Sequence, residues 1–377
     1  TGSNLLRGVV STLLKHYKFN GLESEKVGLW EIDEAVLPSA IEKIKPKVVV
    51  LTNLFRDQLD RYGEIDTLVK KWKQALKKLS VDTILILNAD DPAIAALGSQ
   101  VNCQVYFYGI KDTFWGSNIP SHASDATFCP KCLHPLIYDK CFVSHLGIYQ
   151  CQKCGKIQPK TDIWVEKIDF VNKHIKLKIS MLKKSYTINA NLMGVYNAYN
   201  LVAAFTAAHS LNISPQDIIK GCANFKPAFG RLEQVKYKDK DLNIMLVKNP
   251  TGFNQVIDTL AYLTKKSSFS CLLVLNDLIA DGRDVSWIWD VDMENLTKLT
   301  GIKYLVISGL RAEDLSLRVK YTNFKGKIKL ENNLEKAIDK FLKLNEKKLY
   351  ILPTYTAMLN LRKILNRKGL VHSTWKD

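Results

Sequence analysis

No apolar run in this chain reaches the roughly 18 residues that would suggest a membrane-spanning helix. It carries no signal-peptide pattern and opens at Thr1 rather than Met, so the expectation is a cytoplasmic protein with residues upstream in the natural chain. Internal repeats and low-complexity tracts are missing, which argues against a solenoid or a linker. Acidic residues are in short supply: 37 Asp+Glu against 54 Lys+Arg leave a net charge of +17. That excess calls for an anionic partner without saying whether it is nucleic acid, a phosphorylated metabolite or a membrane surface.

What is present is ordinary globular material. The hydrophobic set makes up 46% and charged residues 24%, enough to bury a large core and to exclude intrinsic disorder. A length of 377 residues suits two or three domains. Eight cysteines in a chain of this size point to a reducing compartment, with metal binding or free thiols rather than disulfides.

Residues 27–110 alternate short apolar runs with helical patterns. VGLWEI, VVVLTN, TILILN and CQVYFYG read as strands, and DEAVLPSAIEKI and IDTLVKKWKQALKKL as helices, which implies a mainly parallel sheet. In the second helix Leu68, Trp72, Leu76 and Leu79 share a face, opposite Lys70, Lys71, Lys73, Lys77 and Lys78. From about 117 to 160 the pattern breaks into Ser, Pro, Cys and Lys, as an insertion would. IDFVNK, IKLKISML and SYTINANL then suggest antiparallel pairs, followed by two helices, the second capped by Ser214 with Pro215 at its start. FKPAFGRLEQ is the expected domain boundary, giving domains 1–226 and 227–377. Beyond it MLVKN, CLLVLND, YLVISG, IKLE and LYILPTY alternate with helices near 253–266, 291–300, 311–321, 333–343 and 356–367: a second, smaller α/β domain of Rossmann-like pattern.

The strongest local signal is CPKC (Cys129, Cys132) followed by CQKC (Cys151, Cys154). Two such knuckles offer four thiolates to one ion, the ligand set of a closed, structural Zn²⁺ site. Cys141, His134 and His145 read as bystanders, and Cys103, Cys222 and Cys271 as core thiols. A second constellation is subtler. Thr1-Gly2-Ser3-Asn4 reads as the opening of a phosphate loop, though Gly-Lys-Thr does not follow. Glu31 in WEIDEA, TNLFRDQLDRYG, and Asn88 in LNADDP decorate the ends of expected parallel strands, where a doubly wound sheet binds nucleotide and Mg²⁺.

This combination resembles the Mur ligases, and within them the MurT-like chains. The motifs are WEIDEA (30–35), TNLFRDQLDRYGEID (52–66), LNADDP (87–92), the inserted four-cysteine ribbon, GVYNAYN (194–200), GRLEQ (230–234), KNPTGFN (248–254) and LNDLIADGRDVSWIWDVDME (275–294). The ribbon and the last segment are specific to MurT-like chains.

The resemblance implies a Mur-ligase-like central ATP-binding domain with an inserted zinc ribbon and a MurT-type C-terminal domain. It implies MgATP-dependent activation of the α-carboxylate of D-glutamate in the lipid II stem peptide as an acyl phosphate. Ammonia from a GatD-like glutaminase subunit would then give D-isoglutamine at the inner face of the membrane. Carried over by motif, Thr1, Gly2, Ser3 and Asn4 open the phosphate loop, Glu31 sits at the Mg²⁺–phosphate site, and Asn197 and Asn200 fall at the adenine position. Arg231 would reach the phosphates, Lys248 with Asn249 would face the nucleotide, and Asp284 would complete the triad of the glutaminase across the subunit interface.

Two departures stand out. Gln58 occupies the place of a family histidine, and the phosphate-loop lysine is missing from this numbering, where we expect a further segment of chain. Two other readings compete: a Mur-type ligase that adds an amino acid, and a basic zinc-ribbon module that binds nucleic acid. The DGRDVSW segment argues against the first, and the lack of a clustered aromatic–basic platform against the second. No nucleic-acid partner is expected.

Overall fold

Two six-stranded sheets, each covered by helices, carry the chain. The computed structural model describes residues 4–18, 21–22, 27–56, 65–122, 124–171, 173–225, 231–265 and 267–371. Helix α1 (Leu6–His16) and a small hairpin, β1 (Tyr17–Lys18) with β2 (Gly21–Leu22), precede the first lobe. There α2 (Leu37–Ile44), β3 (Val48–Leu51), α3 (Ile65–Leu76), β4 (Ile84–Asn88), α4 (Pro92–Leu97) and β5 (Gln104–Ile110) alternate. A hairpin, β6 (Ile137–Val143) with β7 (Leu146–Gln150), lies in the insertion. Then come β8 (Ile163–Val171), β9 (His174–Met181), β10 (Lys184–Ala190), α5 (Val195–Ser210) and α6 (Pro215–Asn224).

The first sheet runs β10-β9-β8-β5-β4-β3, parallel from β3 through β8 and antiparallel from β8 to β10. Leu85, Ile86 and Leu87 of β4 have no exposed surface, because helices cover both faces and the strand must be apolar throughout. In β9, Ile175, Leu177 and Ile179 turn inward while Lys176 and Lys178 turn out, the period-2 pattern of a sheet wet on one side. Helix α5 buries Ala198, Leu201, Val202 and Phe205 against this sheet.

The second lobe comprises β11 (Arg231–Tyr237), β12 (Lys240–Met245), α7 (Pro250–Leu263), β13 (Phe269–Val274), β14 (Ile302–Ser308), α8 (Ala312–Lys320), β15 (Lys327–Leu330), α9 (Leu334–Leu342), β16 (Lys348–Pro353) and α10 (Tyr355–Arg367). Its order is β11-β12-β16-β13-β14-β15, all parallel except β11. The lobes meet at a seam: Tyr262 donates its hydroxyl to the Phe170 carbonyl (2.5 Å), with Trp115 packed on Phe170 at 4.9 Å. A second contact joins His122 Nδ1 to Asp292 Oδ1 at 2.7 Å.

The α/β alternation and the mainly parallel sheets match the expected class. Four expectations need correction. VGLWEI is not a strand: Val27 and Leu29 are 75% and 94% exposed, and these residues pair with no strand although β3 is the sheet edge among the described residues. The strand expected at MLVKN lies earlier, at β12. The helix expected near 291–300 is two 3₁₀ turns, Ser286–Trp289 and Met293–Lys298. Cys103 and Cys222 are half-buried rather than core, whereas Cys271 is fully buried. The boundary stretch 226–230 lies outside the described residues.

Gly109 in β5 shows how tightly the first lobe is fitted, since a Cβ there would sit 2.3 Å from Asp90 Oδ1. Gly109→Ala should therefore cost about 1–3 kcal/mol of stability by overpacking, read as a lowered denaturant midpoint for the first unfolding transition.

Candidate active site

The ribbon is built from two matching turns. In the first, the Leu133 N–H donates to the Cys129 carbonyl (2.9 Å) and the Cys129 N–H to the His134 carbonyl (2.8 Å). In the second, Gly155 bonds to Cys151 (3.0 Å) and Cys151 to Lys156 (2.8 Å). Leu133 and Gly155 both hold positive φ, 58° and 68°. The turns place Cys129 Sγ 3.6 Å from Cys154 Sγ and Cys132 Sγ 3.5 Å from Cys151 Sγ, with all four sulfurs within 4.8 Å of one another. A disulfide needs about 2.05 Å, whereas four sulfurs tetrahedral about zinc at about 2.3 Å stand about 3.8 Å apart. The donor set fits a structural Zn²⁺. The Cys154 backbone N–H favours the Cys151 thiolate and draws that thiol down to about 7. His134, His145 and Cys141 are not in the cluster.

Beneath the ribbon, the LNADDP segment turns inward. Asn88, Asp90 and Asp91 have no exposed surface. Asp91 caps α4 through the Ala93 and Ile94 N–H groups (2.9 and 3.1 Å), and its second oxygen accepts from Leu54 N–H (3.0 Å). Asp90 accepts from the Tyr199 hydroxyl (2.6 Å), Ile110 N–H (2.8 Å) and the Gln158 amide. Burial nevertheless pushes its carboxyl up to about 7 against these donors. Asn88 accepts from Asp90 N–H at 3.0 Å, so its carbonyl oxygen is engaged within this turn.

Between the lobes lies a cavity of about 340 Å³ lined by Lys173, Asn191, Tyr196, Asn197, Glu233 and Gln234, among others. Asn197 is buried and donates to the Met193 carbonyl (2.7 Å), while Asn200 is exposed and donates to Asn197 Oδ1 (3.1 Å). Arg231 begins β11, immediately before the cavity residues Leu232 to Gln234.

A second, smaller pocket brings Arg56 of the first lobe against Lys248, Asn249, Asp281, Asp284 and Asp290 of the second. The loop after β13 is pinned from below. Asp281 accepts from Thr356 N–H (2.8 Å) and from its hydroxyl, and Asn276 reaches Thr356 (3.1 Å) and Leu310 N–H (3.1 Å). Gly282 supplies the left-handed turn (φ 89°) that follows. Asp284 emerges exposed, with one oxygen accepting from Ser286 N–H at 2.8 Å, and the Ser286 bonds hold its carboxyl below the usual range. Leu278, Ile279, Leu310 and Tyr355 are exposed apolar residues at the same strand ends.

The structure thus gathers Lys248 with Asp284 in one pocket and places Asn197 in another, whose lining residues follow Arg231 directly in the chain. The buried Asn88 and the exposed Glu31 line neither. Asn4 is exposed and its carbonyl accepts from Asp33 N–H (2.9 Å), which joins the first described residues to the Glu31 segment. Thr1, Gly2, Ser3 and Gln58 lie outside the described residues. Sequence reasoning passed over Arg56, Asp125 and Asp281. Arg56 sat inside a quoted motif, but its partner is 69 positions away, a pairing one sequence does not display.

Comparison with known proteins defines the class first. Over 88% of this chain the fold superposes on a pseudomurein peptide ligase type C from Methanothermus fervidus, with a TM-score of 0.68, 24% identity and 65% of that chain covered. MurF ligase from Thermotoga maritima in complex with ADP gives 0.57 at 14% identity, over 88% of this chain and 64% of its own. The fold is that of the Mur ligases. Residues 23–152 match the Mur ligase middle domain and 246–358 the MurT ligase C-terminal family. Lipid II isoglutaminyl synthase (glutamine-hydrolyzing) subunit MurT of Streptococcus pneumoniae is 32% identical over 98% of this chain and 81% of its own length. Its Staphylococcus aureus counterpart is 32% identical over 97% and 80%. The chain belongs to the MurT family.

Cys151→Ser should abolish stoichiometric zinc and lower the thermal midpoint by several degrees; one zinc per chain by elemental analysis would contradict the ligand assignment. Asp90 gives a pH signature. Its ordinary value is 3.8 and its native value about 7, so between them the folded state keeps a proton that the unfolded state has released. The stability this group contributes therefore falls as pH rises from about 4 to about 7 and is level above that. Asp90→Asn should remove that slope, seen as a smaller difference in thermal midpoint between about pH 5 and about pH 7.5.

Proposed function

We propose that the chain is the ligase subunit of a lipid II isoglutaminyl synthase, which amidates the α-carboxylate of D-glutamate in the lipid II stem peptide. The observation that carries the reading is 32% identity to two MurT subunits across nearly the whole chain, both families matching in order. A carboxylate is a poor electrophile. Transfer of the γ-phosphoryl group of ATP to a carboxylate oxygen gives an acyl phosphate. Ammonia then forms the new C–N bond as phosphate leaves with the C–O electron pair.

In this reading the larger inter-lobe cavity takes the nucleoside, with Asn197 and Asn200 toward the base and Arg231 toward the phosphates. Asn88 acts from below by shaping the strand end. Glu31 would hold Mg²⁺, and the ion would supply charge neutralisation between ATP and the acceptor. Lys248 faces the phosphoryl group. Zinc would stay structural, held by Cys129, Cys132, Cys151 and Cys154. Among the described residues no helix is long and apolar enough to cross a membrane.

The exposed carboxylate of Asp284 serves the partner. A carboxylate that accepts a hydrogen bond from an imidazole fixes its tautomer and stabilises the imidazolium, whichever chain carries it. Ser286 holds the Asp284 side chain in place, and the apolar residues Leu278, Ile279, Leu310 and Tyr355 would be covered by a GatD-like glutaminase. Both domains, 1–226 and 227–377, meet the nucleotide, and the second also faces the partner through Asp284.

Asp284→Asn should lower glutamine-dependent amidation about 10³-fold or more while leaving ammonium-dependent amidation close to wild type. Full glutamine-dependent activity in that variant would remove Asp284 from the triad.

A further inference from the structure

The segment Thr52–Arg56 leads out of β3 toward the inter-lobe cleft, and side chains from elsewhere hold nearly every residue of it. Tyr108 donates its hydroxyl to the Thr52 carbonyl (3.2 Å), and Asp91 accepts from Leu54 N–H (3.0 Å). Phe55 packs against the His145 ring at 5.0 Å. Asp125 takes Arg56 twice, accepting from its backbone N–H (2.9 Å) and from its Nε. Asp125 and His145 both belong to the ribbon insertion, and they are tied to each other by Asp125 N–H to His145 Nδ1 (3.3 Å). The Asp125 side chain is 5% exposed and that of Arg56 39%, so the pair is anchored at the carboxylate end and reaches out at the guanidinium end. That end lines the pocket shared with Lys248 and Asp284.

A charged carboxylate buried to this degree is costly unless its bonds are met, and here both oxygens are used on one arginine. Zinc closure needs no such pair, because Asp125 is not one of the four ligands. The pair instead sets where one backbone N–H and one guanidinium stand at the mouth of the cleft.

We propose that Asp125 is a positioning residue for the ligase reaction, acting through Arg56, which shares its pocket with Lys248. The inference rests on the amidation reading above. Displacement of a site-lining group by about an ångström is enough to cost one to two orders of magnitude in rate, so a geometric role predicts a fall in kcat with little change in the KM for ATP.

The test compares Arg56→Ala, Asp125→Asn, Asp125→Glu and the double variant Arg56→Ala/Asp125→Asn in the full chain, loaded with zinc and paired with its co-expressed glutaminase. Ammonium-dependent amidation of lipid II is measured with MgATP, glutamine hydrolysis by the complex is measured separately, and zinc content is checked for each. Asp125→Asn should lose about tenfold or more in ammonium-dependent kcat, keep its zinc, and be partly restored in Asp125→Glu. Because Asp125 acts through Arg56, the double variant should be no slower than Arg56→Ala alone. Losses that multiply, or a wild-type kcat in Asp125→Asn, would overturn the proposal. Hydrogen exchange keeps the two readings apart: the Arg56 amide should exchange faster in Asp125→Asn whatever the reaction proves to be. An unchanged amide sinks the clasp, and a wild-type protein without ammonium-dependent amidation sinks the functional reading.

Discussion

One aspartate without exposed surface joins three parts of the first lobe: the sheet, a covering helix and the ribbon insertion. The side chain of Asp90 takes bonds from β5 through Ile110, from α5 through Tyr199 and from the ribbon strand end through Gln158. Its carbonyl takes a fourth from Gly147 in the ribbon hairpin (2.9 Å). The neighbouring Asp91 then fixes α4 and the segment after β3. Such a group is expensive to bury, and it is tolerated only because every piece that meets it donates. Sheet, helix and insertion are consequently in register with one another before any ligand is considered, and the ribbon is part of the lobe rather than an appendage.

The strands that lie between helical layers were legible because burial on both faces leaves apolar runs in the sequence, as in β4, β13 and β16. The same rule misled at VGLWEI, since an apolar run can also lie exposed, as Val27 and Leu29 do here. β11 went unread because RLEQVKY sits on an edge beside β12 and alternates charge with apolar residues. The cysteine knuckles were plain because the four ligands fall in two local pairs, each closed by its own turn. LNADDP was recognisable as a motif, but its direction was not, because only the fold shows that Asn88, Asp90 and Asp91 face inward. Arg56 and Asp125 were hidden for a related reason: their pairing is a property of the folded chain, not of spacing.

The positive charge is spread more than it is concentrated. The lysine face of α3 is exposed as expected, with Lys78 paired to Glu42 across to α2, and such surface pairs contribute little. The arginines that matter structurally are buried. Arg318 reaches Glu294 and the Ile288 and Val291 carbonyls, and Arg362 bonds Glu233, which ties α10 to β11. The charge that lines the cleft is a small part of +17.

The two knuckles of the ribbon look equivalent in their bonding but not in what they ask of the backbone. Gly155 takes the left-handed conformation without a steric cost, whereas Leu133 adopts it with a full side chain, at about 1–2 kcal/mol. A bound ion would put part of its binding free energy into holding Leu133 there, and the second knuckle, continuous with β7, makes no such demand. The ribbon is therefore a tense half latched onto a relaxed one, and in a metal-free chain the half bearing Cys129 and Cys132 would have the stronger reason to let go.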